Sequence, residues 1–241
     1  MLKTFVPATF VLVSSLAAQS QAPVGSLGGS VSDQQGNALA GAEVRYVGGT
    51  RIAGSRPGPG ETVVGGTVIT DANGQFAVSG MPAGDYSLCA DVPSAAYLDP
   101  CIWQQPVFVT VPATGTGIAT LALSEGVFLK VRVNDPLGLL PSTVDGLWTL
   151  RKLVVGVTYA NGAYQGAQNV SVDATGRNYQ LIVPPGVAFN LRLFSRDVAL
   201  TDAVGASVDI SGSLIPFQAA EGQDQSFTFT VSGPAAPQAG N

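Results

Sequence analysis

Val31-Ser-Asp33-Gln-Gln-Gly36, Thr70-Asp71-Ala-Asn-Gly74 and Met81-Pro82-Ala-Gly84 return further along the chain. They reappear as Val133-Asn-Asp135-Pro-Leu-Gly138, Val172-Asp173-Ala-Thr-Gly176 and Val183-Pro184-Pro-Gly186. Asp33 and Asp71 are 38 residues apart, as are Asp135 and Asp173, and the set recurs at an offset of 102. Three landmarks at one offset mark an internal repeat, hence two units in tandem that meet near Glu125. The landmarks are turn sequences. Asp accepts hydrogen bonds from the backbone that follows it, and Gly supplies the positive φ that lets the chain leave the turn.

Between the turns the apolar residues alternate. Ala42-Glu-Val-Arg-Tyr-Val47, Phe128-Leu-Lys-Val-Arg-Val133 and Ser226-Phe-Thr-Phe-Thr-Val-Ser232 follow period two, and Phe189, Leu191 and Leu193 share one face. Period two with β-branched and aromatic enrichment predicts half-buried strands, and many short strands between turns predict β-sandwiches. No long 3.6-residue period is present, so the fold class is all-β. One irregularity is visible. Phe76 and Val78 follow the first turn, but Tyr179, Leu181 and Val183 follow the second, a slip of one residue that would flip the strand's faces unless a bulge absorbs it.

The first unit, Gly29 to Val44 with Thr70 to Phe76 and Gly80 to Leu88, resembles the carboxypeptidase regulatory-like domain. That family is a seven-stranded, prealbumin-like, Ig-like Greek-key sandwich akin to Cna-B-type repeats. The match is good from about residue 27 to 92, and the second unit joins it through the internal repeat. The resemblance implies two tandem seven-stranded sandwiches, residues 19–125 and 126–233. It also implies roles in secreted peptidases, outer-membrane receptors or surface adhesins, and a fold shared with carbohydrate-binding sandwiches. Some Cna-B-type domains carry a Lys–Asn isopeptide bond. Residues 19–125 contain no Lys, and the strand Ser226 to Ser232 has no Asn to meet Lys130.

Met1-Leu-Lys3, an apolar run from Phe5 to Leu16 and small residues after it describe a secretory signal peptide, residues 1–18. The run is shorter than a membrane span needs, and nothing later could span. The expected location is therefore secreted, periplasmic or cell-surface. In an exported chain the lone pair Cys89 and Cys101 reads as a disulfide. Zinc or redox use of the pair is poorly supported, since His is absent and the spacing is not Cys-x-x-Cys. The Pro-, Ala- and Gly-rich residues 234–241 read as a disordered tail.

The chain has 241 residues, no His and a formal net charge of −5. The acidic balance argues against a nucleic-acid partner. Without His there is no Ser-His-Asp triad, Cys-His pair or His-ligated metal. No Gly-x-Ser-x-Gly elbow or phosphate loop is present. Asp85, Asp91, Asp99, Asp197, Asp202 and Asp209 are scattered beside turns, so a carboxylate enzyme is disfavoured. Asp71-Ala-Asn73-Gly74 lacks the remaining ligands of a calcium loop. The reading is a non-catalytic exported structural or protein-interaction module without cofactor. Its partner would be an envelope or extracellular protein. The alternative is carbohydrate binding, with a polysaccharide partner, through Tyr97, Asp99, Trp103 and Gln104, loop residues that a Cys89–Cys101 bridge would hold still. For Trp103 and Trp148 the competing role is packing, and Arg51 and Arg56 read as solvated loop charges.

Overall fold

The computed structural model describes residues 24–50, 62–140, 153–159, 162–208 and 214–235. The signal peptide, Arg51, Arg56, Trp148 and the end of the tail lie outside them.

Among the described residues, seven strands build the first sandwich: β1 (Val24–Asp33), β2 (Glu43–Gly49), β3 (Val63–Ile69), β4 (Gln75–Pro82), β5 (Gly84–Asp91), β6 (Val107–Val111) and β7 (Thr116–Leu123). One sheet runs β4-β1-β7 and the other β3-β2-β5-β6. The first and last strands, β1 and β7, pair in parallel, so the chain closes the sandwich by returning beside its own start. Alternation does the sorting. On β7, Ala119, Leu121 and Leu123 point inward while Ile118, Thr120 and Ala122 face out. Leu27, Val31, Phe76, Met81, Tyr86, Leu88 and Leu121 belong to one buried cluster.

The second sandwich contains β8 (Val127–Asn134), β9 (Val154–Thr158), β10 (Tyr164–Gly166), β11 (Gln168–Asp173), β12 (Gly176–Val183), β13 (Ala188–Phe194), β14 (Val198–Thr201), β15 (Ser207–Val208), β16 (Leu214–Gln218) and β17 (Gln225–Pro234). Its sheets run β11-β12-β8-β17-β14-β15 and β10-β9-β13-β16. The segment β12-β8-β17 repeats β4-β1-β7, with β8 and β17 again parallel. The sheet β10-β9-β13-β16 repeats β3-β2-β5-β6.

The second copy thus departs from the expected seven strands by additions at its rims. The segment matching β3 is split into β10 and β11, one in each sheet, so β11 extends one edge. The hairpin β14–β15, turned by Asp202 and Gly205, extends the other. A second buried cluster includes Leu129, Val131, Val133, Tyr179, Leu181, Phe189, Leu191, Leu193, Phe229 and Val231.

The one-residue slip has a local cause. Phe76 lies opposite Gly29, and Tyr179 lies opposite Val131, the equivalent position. Both aromatics therefore face inward. The pairing of β12 with β8 runs without a break, so the extra residue sits between Asp173 and Tyr179; the bulge lies in the first copy, where the β1–β4 register shifts between Gly25 and Ser26 and brings Met81 to the position matching Val183.

The repeated turns are built as their composition dictates. Asp33 Oδ1 accepts from the amides of Gln35 and Asn37, and Asp71 Oδ1 from those of Asn73 and Gln75. Asp135 accepts from Leu139 and Leu140. Gly36, Gly74 and Gly138 take positive φ. Outside the turns Lys130 faces solvent on β8 and meets Asp224 at 2.5 Å, a surface ion pair that places its amine away from the core.

These carboxylates carry a pH dependence. A side-chain hydrogen bond from Asn37 lowers the pKa of Asp33, one from Arg132 lowers that of Asp173, and one from Lys130 lowers that of Asp224. Groups depressed in the fold stabilise it fully above their unfolded pKa of about 3.9, and this is lost as pH falls through the folded values. The urea midpoint should drop between pH 5 and pH 2 as a result. The triple variant Asp33→Asn, Asp173→Asn, Asp224→Asn should start lower and fall less. An equal fall in both proteins would contradict the assignment.

Candidate functional site

The segment between β5 and β6 carries the candidate residues. It contains a single helical turn, α1 (Pro100–Trp103). A helix this short has no stability of its own, so external ties must hold it, and three are present. Asp99 caps it, its Oδ1 accepting from the amide of Cys101 at 2.9 Å. Cys101 is disulfide-bonded to Cys89 on β5, with Cα atoms 5.5 Å apart. The second oxygen of Asp99, a buried residue, takes a close ion pair from Arg45 on β2, which also approaches Asp91 Oδ1 at 2.8 Å. The disulfide also settles the fate of Cys89, Asp99 and Cys101 as a group: bonded to each other, the sulfurs are not metal ligands.

What α1 presents is Trp103, and the ring reaches the other sandwich. It lies 5.2 Å from Tyr159, just after β9, and 5.8 Å from Phe189 on β13, centroid to centroid. Phe189 continues to Phe217 at 5.7 Å, and Phe217 to Phe227 at 5.6 Å. A residue carried by the first unit thus begins a chain of rings that runs along the second unit's core. These contacts pack the Trp103 ring at the junction of the two units.

The rest of the loop fastens the connector. Only Ser124, Glu125 and Gly126 separate β7 from β8. Ser124 O accepts from the amide of Leu98, the amide of Gly126 donates to Ala96 O at 2.6 Å, and Tyr97 bridges to Glu125. A Cβ at Gly126 would lie 2.5 Å from Ile182 Cγ2 and 2.8 Å from Leu98 Cδ2, so those two side chains would have to shift to admit one. Gln104 turns away from the other candidates and donates to Ser124 Oγ at 3.1 Å.

Tyr97, Asp99 and Trp103 therefore converge, whereas Gln104 stands apart. They line a cleft of about 220 Å³ between the sandwiches. Its other walls include Arg45 and Asp91 of the first unit and Gln165, Gln168 and Gln180 of the second. Burial raises the pKa of Asp91, against the opposing pull of Arg45, and burial also raises that of Tyr97. Sequence reasoning missed the glutamines, Tyr159 and Phe189 as parts of this site, because they lie on or just beyond strands of the second sandwich and carry no local signal of the junction. Arg45 was legible only as an outward residue on an alternating strand.

No family model and no curated protein matches the chain. Some solved structures are similar to it, all at low superposition scores. A streptococcal ancillary pilin superposes with a TM-score of 0.43 at 16% identity, covering 90% of this chain and 63% of its own. The Bacillus anthracis TIE protein gives 0.34 at 14%, covering 87% and 34%. The minor pilin of Streptococcus agalactiae gives 0.35 at 7%, covering 90% and 99%. The chain thus spans about a third of the TIE protein and under two thirds of the ancillary pilin. At this level of superposition none of them bears on what the chain does.

Proposed function

We propose that the protein is an exported, non-catalytic structural and protein-interaction module. Its two units, residues 19–125 and 126–233, act as one rigid body. The observation that carries this reading is the seating of Trp103 against Tyr159 and Phe189, with its helix tied back by Cys89–Cys101 and by Asp99–Arg45. A three-residue connector pinned to the same loop removes the freedom that a longer linker would leave.

The disulfide fits an oxidising compartment, in the envelope or outside the cell. No helix among the described residues is long and apolar enough to cross a membrane. Asp33, Asp71, Asp135, Asp173 and Asp202 are occupied in turns, and Asp91 and Asp99 face Arg45, which supports a structural use of the carboxylates. The partner of such a module would be another envelope or extracellular protein.

Trp103→Ala tests the reading. Each sandwich should keep its strand content by circular dichroism, while small-angle scattering shows a larger radius of gyration and a longer maximum dimension. Unchanged scattering would show that Trp103 does not hold the units together.

A further inference from the structure

The cleft beside Trp103 has more polar capacity than the junction uses. Asp91 Oδ1 is buried there without a hydrogen bond; its 2.8 Å approach to Arg45 is a charge contact lacking hydrogen-bond alignment. Gln165 makes one long contact, 3.4 Å, to the carbonyl of its neighbour Gly166. Among the described residues, Gln168 and Gln180 have no side-chain hydrogen bond. Met only by that charge contact, Asp91 Oδ1 keeps the capacity to accept a further hydrogen bond.

The chemistry of these groups selects a ligand class. Carboxamides both donate and accept, as hydroxyl groups do. Arg45 is already claimed by two carboxylates, so the cleft offers an anion no free cation among the residues that line it. Tyr97 and Trp103 add apolar ring surface beside the polar groups, which suits a ligand with hydroxyls on its rim and C–H bonds on its face. The volume of about 220 Å³ is below the roughly 300–1,000 Å³ of sites for larger ligands. It suits one ring and not a buried chain.

We propose that this inter-sandwich cleft is a binding site for a single neutral sugar ring, free or at the end of a glycan. Asp91, Gln165, Gln168 and Gln180 supply the hydrogen bonds, and Tyr97 and Trp103 supply the apolar walls. The site belongs to neither sandwich alone. It extends the module's role from holding two bodies together to reading a saccharide at their joint.

The test titrates the full chain, disulfide intact, with the methyl glycosides of glucose, galactose, mannose and N-acetylglucosamine, followed by amide NMR shifts. At least one should bind with a dissociation constant of about 1 mM or tighter, as a small polar site gives. Its shifts should centre on Gln165, Gln168 and Gln180. Gln180→Leu keeps the side chain's bulk and should weaken binding about tenfold, the loss of one or two hydrogen bonds. Gln168→Leu, on the exposed β11, should do the same and serves if the first variant folds poorly. No binding of any glycoside up to about 10 mM, shifts that map elsewhere, or an unchanged affinity in the folded variants would overturn the proposal.

Discussion

Phe189→Ala should destabilise the second sandwich by about 3–5 kcal/mol, the usual cost of deleting a buried ring from a packed core. Phe189 is 2% exposed and contacts Trp103, Tyr159 and Phe217 at once. Removing it takes away the partner of three other rings, and the strand ladders on both sides of β13 resist collapse into the void. The measurement is urea unfolding followed by tryptophan fluorescence, since the Trp103 environment changes directly, with far-ultraviolet dichroism as an independent probe. Phe189→Leu, which retains most of the apolar volume, should cost much less. A loss under about 1 kcal/mol for the alanine variant would mean that the ring chain is not a packed spine of the second sandwich.

Replacing both Cys89 and Cys101 with serine should cost about 3 kcal/mol, the loop-entropy value for a bridge of this separation. The two residues are 12 apart. The effect reaches beyond that local figure in one respect. The bridge is one of the ties holding α1, and α1 carries Trp103, so its loss should also loosen the seating of that ring against the second sandwich. Thermal unfolding of the native protein with and without reductant, beside the double serine variant, checks both parts. Reductant should lower the native midpoint to that of the variant and leave the variant unmoved. A variant as stable as the native protein, with Trp103 fluorescence unchanged, would assign the loop's order to Asp99 and Arg45 alone.

Much of the architecture was legible because turn chemistry and alternation are local. Asp33, Asp71, Asp135 and Asp173 announced their turns, and the repeat of those turns announced the repeat of strand order. Phe189, Leu191 and Leu193 share the buried face that their spacing predicts. The added strands were hidden for an equally physical reason. β14 has four residues and β15 has two, too few for a period to show, and β11 differs from its counterpart only in which sheet it joins.

The candidate site was half legible. Cys89 and Cys101 located the loop, and Tyr97, Asp99 and Trp103 were recognised in it. What Trp103 touches was not, because Tyr159 and Phe189 are distant in sequence and meet it only once both sandwiches have formed. The same holds for the glutamine wall of the cleft. Gln165, Gln168 and Gln180 look like ordinary surface amides until the junction brings them opposite Asp91 and Tyr97.

If Trp103 holds the two sandwiches as one rigid body, they tumble together, and residual dipolar couplings of backbone amides in the weakly aligned native protein report this. A single alignment tensor should fit the strands of both sandwiches together, and Trp103→Ala should split the fit into two tensors of different magnitude. Two tensors already in the native protein would mean that the sandwiches reorient independently.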